Sequence, residues 1–380
     1  MTSSLSTSSS MIKVKRDYSM DLLRIISMFM IVVLHSISHG TFLDNSFTFN
    51  NAYFYLIDSF CIVSVNCFVL LSAYFLINDR FRLSKIVLLL CNTVFYSWFF
   101  LFICKSLRLV DISNESLMKA ALPLSFREYW FVSAYVGMYL MSPLLNITIK
   151  KLTRVQHLSA VMLLLCIFSI SSDLIPKGNA FGADYGYSMV WFICLYFIAT
   201  YIKIYDFKIG FKRCILGYTL FSCIMFSSYI ILNFLVGSNP TLHNYEIPTY
   251  YMRYNSIFNC IASVLLFLAF RSIQVSSRRI IRMITLIAPL TFGIYLIHDN
   301  PIFREWYWKA LGGVFFTKMN YLNQIYAVFF VFIASAIIEK LRITICHQLF
   351  RTNKVSNVLS MIDKVPKKIL NVFEGQQNEK

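Results

Sequence analysis

The chain has 380 residues, of which 58% are hydrophobic and only 14% charged. A soluble globular domain carries about a quarter charged residues, so the composition excludes an ordinary soluble enzyme and reads as an all-α, polytopic membrane protein. The formal net charge of +17 does not indicate a nucleic-acid partner, because the basic residues sit in short clusters between apolar runs, where they act as topology signals and attract anionic groups.

Residues 1–17, opening MTSSLSTSSS, are expected to be a disordered cytoplasmic N-terminus. Lys13, Lys15 and Arg16 precede a first helix over about 18–38, which reads as a retained signal anchor without a small-residue cleavage pattern. The second helix, about 54–78, returns to a basic turn with Arg80, Arg82 and Lys85. Further helices are expected at about 86–107, 129–149, 158–175, 188–205, 214–236, 255–270, 283–298 and 322–340. The connections at 108–127, 237–254 and 299–321 read as long external loops, the last one aromatic.

About ten transmembrane helices put both termini in the cytoplasm, with a membrane domain over 18–342 and a basic tail over 343–380 that includes an amphipathic piece. Of the 35 Lys and Arg residues, 25 fall in the predicted cytoplasmic segments, nine outside, and Arg24 lies in the membrane. This bias sets the orientation. The ten cysteines are scattered through apolar runs with no C-x-x-C pair, so they read as small buried hydrophobes, with no disulfide framework and no metal site.

The first helix carries the candidate chemistry. Arg24 and His35 are eleven steps apart, ~16 Å along a helix, and return to within ~20° of one face. Asp21 lies one turn before Arg24 and can pair with it at i,i+3 as a structural partner. Three ionisable groups on one stripe of a membrane helix need protein or a water-filled cavity to face. A neutral imidazole at His35 accepts a proton from a hydroxyl, the general-base role.

Four stretches in order resemble the acyltransferase type 3 family, in its polysaccharide O-acetyltransferase branch. MDLLRIISMFMIVVLH matches the Arg, ten residues, His opening; CFVLLSAYFLINDRFR resembles the second-helix segment; YWFVSAYVGMYLMSPLLN and TFGIYLIH resemble two later helices. Ala73 stands after Ser72 where the family usually has glycine, which still permits close packing. The extension with a periplasmic hydrolase-like domain is missing, so the chain reads as the stand-alone form.

The resemblance implies acyl transfer from acetyl-CoA, as donor co-substrate, to a glycan or lipid-linked oligosaccharide acceptor in the bacterial inner membrane. His35 then acts as general base or as a transient acyl carrier. Arg80 and Arg82 are candidates for the donor phosphates, and Arg24 for the donor or for anchoring Asp21. His298 with Asp299 is a candidate to orient the acceptor or assist proton transfer, beside a structural role, and Trp130, Trp191 and the aromatics of REWYW are candidates for stacking on sugar rings or for an interfacial aromatic belt. Ser72 is expected to pack or to bond across helices. Membrane lipids are partners by composition, and a second copy of the chain is a further candidate. The competing reading is a transporter or flippase for the same glycan, disfavoured by the lack of clear internal repeats and of Gly/Pro-broken helices at matched positions. A succinyl or other acyl transferase of the same fold is a further alternative.

Overall fold

The computed structural model describes residues 16–40, 49–174, 181–237, 248–315, 321–349 and 353–364. The Ser/Thr-rich N-terminus before residue 16 and most of the basic tail lie outside these residues. The described chain is helical throughout: α1 (Tyr18–His39), α2 (Phe49–Cys61), α3 (Ser64–Leu76), α4 (Leu83–Ser106), α5 (Asn114–Ala121), α6 (Trp130–Lys151), α7 (Arg154–Leu165), α8 (Ser171–Leu174), α9 (Met189–Ile204), α10 (Phe211–Gly237), α11 (Ile257–Arg271), α12 (Arg278–Ile287), α13 (Thr291–His298), α14 (Arg304–Phe315), α15 (Tyr321–Leu349) and α16 (Asn353–Ile362). Among the described residues, eight spans are long and apolar enough to cross a membrane. The other two expected helices are the shorter apolar α9, with 16 residues, and α15, with 29.

α1 is the hub. It packs on α2, α3, α11, α12, α13, α14 and α15. Its start is set by Asp17, whose carboxylate accepts from the backbone N–H groups of Ser19 and Met20. A helix ringed by other helices has protein, not lipid, to face its charges, which is how Asp21, Arg24 and His35 are tolerated.

Three expected helices are interrupted. The second bends at Ile62–Val63 between α2 and α3, although residues 52–76 remain one apolar span. The fifth widens into a π-type turn at Cys166–Ile170. The ninth breaks at Ala288–Leu290, where Pro289 tightens the backbone into a 3₁₀ turn between α12 and α13. The sequence led to one continuous helix over about 283–298, so the Pro289 break is a finding of the structure.

The expected external loops at 108–127 and 299–321 also contain helices, α5 and α14. Polar caps explain the first, since Ser113 accepts from the Ser116 N–H.

Contacts between segment ends agree with the expected alternation. At the expected inner side, Asn146 Nδ2 donates to Leu76 O at 3.0 Å, and Asp363, just after α16, accepts from the Ser84 N–H and hydroxyl at 2.8 Å. At the expected outer side, Arg127 pairs with Asp184, Tyr129 Oη donates to Leu296 O, and Asp173 accepts from the Ile257 N–H. Six cysteines are buried, but Cys91, Cys166 and Cys223 lie on exposed helix faces, where a thiol is apolar enough for lipid contact.

Candidate active site

The α1 stripe of Arg24, Met28, Ile31 and His35 forms one wall of a central cavity of about 330 Å³. α3 contributes Phe68 and Ser72, α6 contributes Trp130 and Tyr135, and the broken helix contributes Pro289, Phe292 and Tyr295. The Pro289 break therefore faces the cavity.

Two further cavities adjoin this one. An inner cavity of about 230 Å³ shares Arg24, Ser72, Leu89 and Tyr135 with it and adds Asp79, Lys85 and Tyr139. An outer cavity of about 490 Å³ shares His35, Trp130 and Tyr254 and adds His39, Asp58, Arg253, Asp299 and Arg304. The three are linked in series through the bundle by the residues they share. Arg24 stands at the inner junction and His35 at the outer one.

At the outer junction, His35 Nδ1 lies 2.9 Å from His298 Nε2. His298 Nδ1 lies 2.6 Å from the Ile294 carbonyl, which can only accept, so Nδ1 carries a proton. In the neutral ring, Nε2 of His298 is then an acceptor, and His35 must donate from Nδ1. That leaves His35 Nε2 with its lone pair, as a base requires.

Asp299 Oδ1 lies 3.7 Å from His35 Nδ1 and accepts from Arg304 Nη1 at 3.0 Å. The carboxylate stands where it stabilises a positive imidazole, while Arg304 holds it in place. Tyr307 Oη donates to the His298 carbonyl at 2.5 Å and fixes the end of α13.

At the inner junction, Asp21 accepts from Arg24 Nη1 at 2.8 Å and from Arg16 Nε at 2.5 Å. Arg24 thus has one acid partner and still lines both neighbouring cavities. Arg80 and Arg82 are exposed and do not line them; Arg82 approaches Asp79 at 3.8 Å, and Lys85 binds Asp79 at 2.6 Å. The cation that reaches the inner cavity beside Arg24 is Lys85.

Trp130 lines both the central and outer cavities and lies in an aromatic cluster, 4.4 Å from Tyr187 and 5.6 Å from Tyr254 between ring centroids. Trp191 does not join them. It is fully buried, with Nε1 donating to Asn66 Oδ1 at 3.0 Å, because the short α9 lies inside the bundle. Of the REWYW aromatics, Tyr307 and Trp308 are buried and Trp306 is 38% exposed.

Arg253, Tyr254 and Arg304 come from segments read as loops, with no periodic signal to mark them. Glu339 was also missed. It is a buried carboxylate on α15 that accepts from Tyr96 Oη at 2.5 Å and from Arg342 Nε and Nη2 at 2.7 Å each. Its signal was an acid at the end of an apolar run with arginine three residues on. Among the described residues, no group of three or more His, Cys, Asp or Glu could hold a metal ion.

The profile of the acyltransferase 3 family, described as an acyltransferase domain, matches residues 17–339. The chain belongs to this family. No curated protein and no solved structure matches it. As a family member the protein is a membrane acyltransferase, which sets the transporter reading aside. The matched range runs from the helix that bears Arg24 and His35 to Glu339 and includes all three cavities.

Proposed function

We propose that this acyltransferase moves an acetyl group from acetyl-CoA to a hydroxyl of a bacterial surface polysaccharide or its lipid-linked precursor, at the bacterial inner membrane. The observation that carries this reading is the position of His35 where the central cavity meets the outer one. A donor held from the inner side and an acceptor held from the outer side then meet at one imidazole.

The inner cavity suits an anionic donor with a thin, extended arm. Lys85 and Arg24 supply positive charge along it, and Arg82 and Arg80 add charge outside it. The central cavity is largely apolar, lined by Met28, Ile31, Phe68 and Phe292, and it excludes bulk water from the thioester. The outer cavity has the mixed character that sugars need, with aromatic faces at Trp130 and Tyr187 and hydrogen-bonding groups at Asp58, Arg253 and Asp299.

In the reaction, the acceptor hydroxyl gives its proton to His35 Nε2 as its oxygen attacks the thioester carbonyl carbon. The C–S bond then breaks. The thiolate leaves and takes the proton from the imidazolium. His298 accepts from His35 Nδ1 throughout and keeps the ring oriented, and Asp299 offsets the transient charge.

The test is transfer of radiolabelled acetyl groups from acetyl-CoA to a panel of bacterial glycans by the purified protein in nanodiscs. Label on a glycan with the wild type and none with His35→Ala supports the reading. Glycan labelling that survives His35→Ala contradicts it.

A further inference from the structure

A fourth cavity, of about 450 Å³, opens on the expected outer face and shares no residue with the three cavities of the site. Its volume falls within the range of small-molecule sites. It lies behind the turn that joins α13 to α14. Asp299 and Arg304 line the outer cavity, whereas their neighbours Asn300 and Glu305 line the fourth one. The two cavities are therefore back to back across a single turn of chain.

The lining is amphipathic. One part is apolar, with Val110 and Ile112 from the segment before α5. The other carries Lys119, Glu128, Glu305 and Lys309, two groups of each sign. Lys119 lies 3.0 Å from Glu115 and 3.5 Å from Glu128. The hydrogen bond to Glu115, with the Glu128 charge behind it, raises the Lys119 pKa above that of an ordinary lysine, so it stays an ammonium. A balanced wall of this kind suits a neutral polyhydroxylated ligand better than an anionic lipid headgroup, which needs net positive charge.

Trp306 supplies an aromatic face. It is 38% exposed, and its ring rests on Phe303 at 5.5 Å between centroids in a stacked arrangement. Phe303 in turn stacks on Phe100 at 4.8 Å. The exposed ring is thus braced from behind, a prebuilt platform rather than a loose surface side chain.

We propose that this cavity is a second carbohydrate-binding site, which holds sugar residues of the acceptor beyond the one that is acylated. The proposal rests on the glycan acyltransferase reading above. A chain of sugars that crosses the α13–α14 turn places one residue near His35 and others on Trp306. The enzyme then prefers an oligomeric acceptor to a single repeat, without any further contact at the reacting hydroxyl.

The experiment uses the full chain in nanodiscs. The probe is surface polysaccharide from the cells that make the protein, partly hydrolysed and separated into single-repeat and multi-repeat fractions. Trp306→Ala is expected to raise KM for the multi-repeat fraction about tenfold, the scale of a lost aromatic contact. KM for the single-repeat fraction and for acetyl-CoA stays unchanged. Trp306→Phe, which keeps a ring on Phe303, restores most of the loss. Binding of the multi-repeat fraction, measured without donor, weakens in parallel. Equal effects on both fractions, or none, overturn the proposal. Length-selective binding that Trp306→Ala abolishes, with no acyl transfer by the wild type, keeps this site and sinks the transferase reading instead. No glycan binding and no transfer by the wild type sinks both.

Discussion

His35 Nδ1 and His298 Nε2 lie 2.9 Å apart, although 263 residues separate them in the chain. The contact ties the first helix to the end of α13 and sets which nitrogen of His35 keeps its lone pair. Replacing His298 by Ala removes the acceptor for the His35 Nδ1 proton, and the ring is free to turn or change tautomer. The kcat is expected to fall ~100-fold, the scale of an impaired general base. KM for acetyl-CoA is expected to stay within a factor of two, because His298 does not line the inner cavity proposed for the donor. Steady-state kinetics of the variant in nanodiscs checks both.

Arg24 answers differently. Its side chain is 34% exposed and lines the central and inner cavities. A charge-assisted hydrogen bond contributes ~1.5–3 kcal/mol, which solvent screening reduces here. Arg24→Ala is expected to raise the acetyl-CoA KM about tenfold, with a smaller change in kcat. The fold survives, because Asp21 keeps Arg16 at 2.5 Å. Donor KM and the melting temperature, measured together, separate binding from folding.

Trp130 reports on the opposite substrate. Its ring lines the cavities on both sides of His35 and packs against Tyr187 and Tyr254. Trp130→Ala is expected to raise KM for the glycan acceptor about tenfold, from the loss of an aromatic contact, and to leave donor KM unchanged. A matched rise in both values would place Trp130 in the packing of α6 and remove it from acceptor binding.

Gly293 tests the frame behind the site. A Cβ there would overlap the Glu339 carboxyl group, which Arg342 and Tyr96 hold in place. With three hydrogen bonds from these two side chains fixing it, the carboxylate has no easy retreat. Gly293→Ala is expected to cost ~1–3 kcal/mol, as overpacking does, seen as a lower melting temperature in detergent. Because α13 also carries His298, kcat falls with it. Unchanged stability would show that α15 shifts freely.

The parts of the site set by local periodicity were legible in the sequence. Arg24, Met28, Ile31 and His35 recur at helical spacing, and the structure lines them up on one cavity wall. The Asp21–Arg24 pair follows from the same geometry. What depends on tertiary contact was not legible. No spacing rule brings His298 to His35, and only the family resemblance singled it out. Trp191 was grouped with the aromatics expected to stack on sugars or to form an interfacial belt, because nothing local shows that α9 is enclosed. Arg304 sat in a segment whose aromatics and charges resemble an interfacial loop, yet it begins α14 and binds Asp299. The Pro289 break inside the expected helix over 283–298, and its place in the cavity wall, needed the packed bundle.

In the proposed reaction, donor and acceptor reach His35 from opposite sides of the membrane. The most direct measurement uses sealed proteoliposomes of uniform orientation, with labelled acetyl-CoA on the Lys85 side and glycan acceptor on the Arg253 side. The account predicts label on the glycan across an intact bilayer, lost in His35→Ala. Transfer that requires both substrates on one side, or that persists without His35, would contradict it.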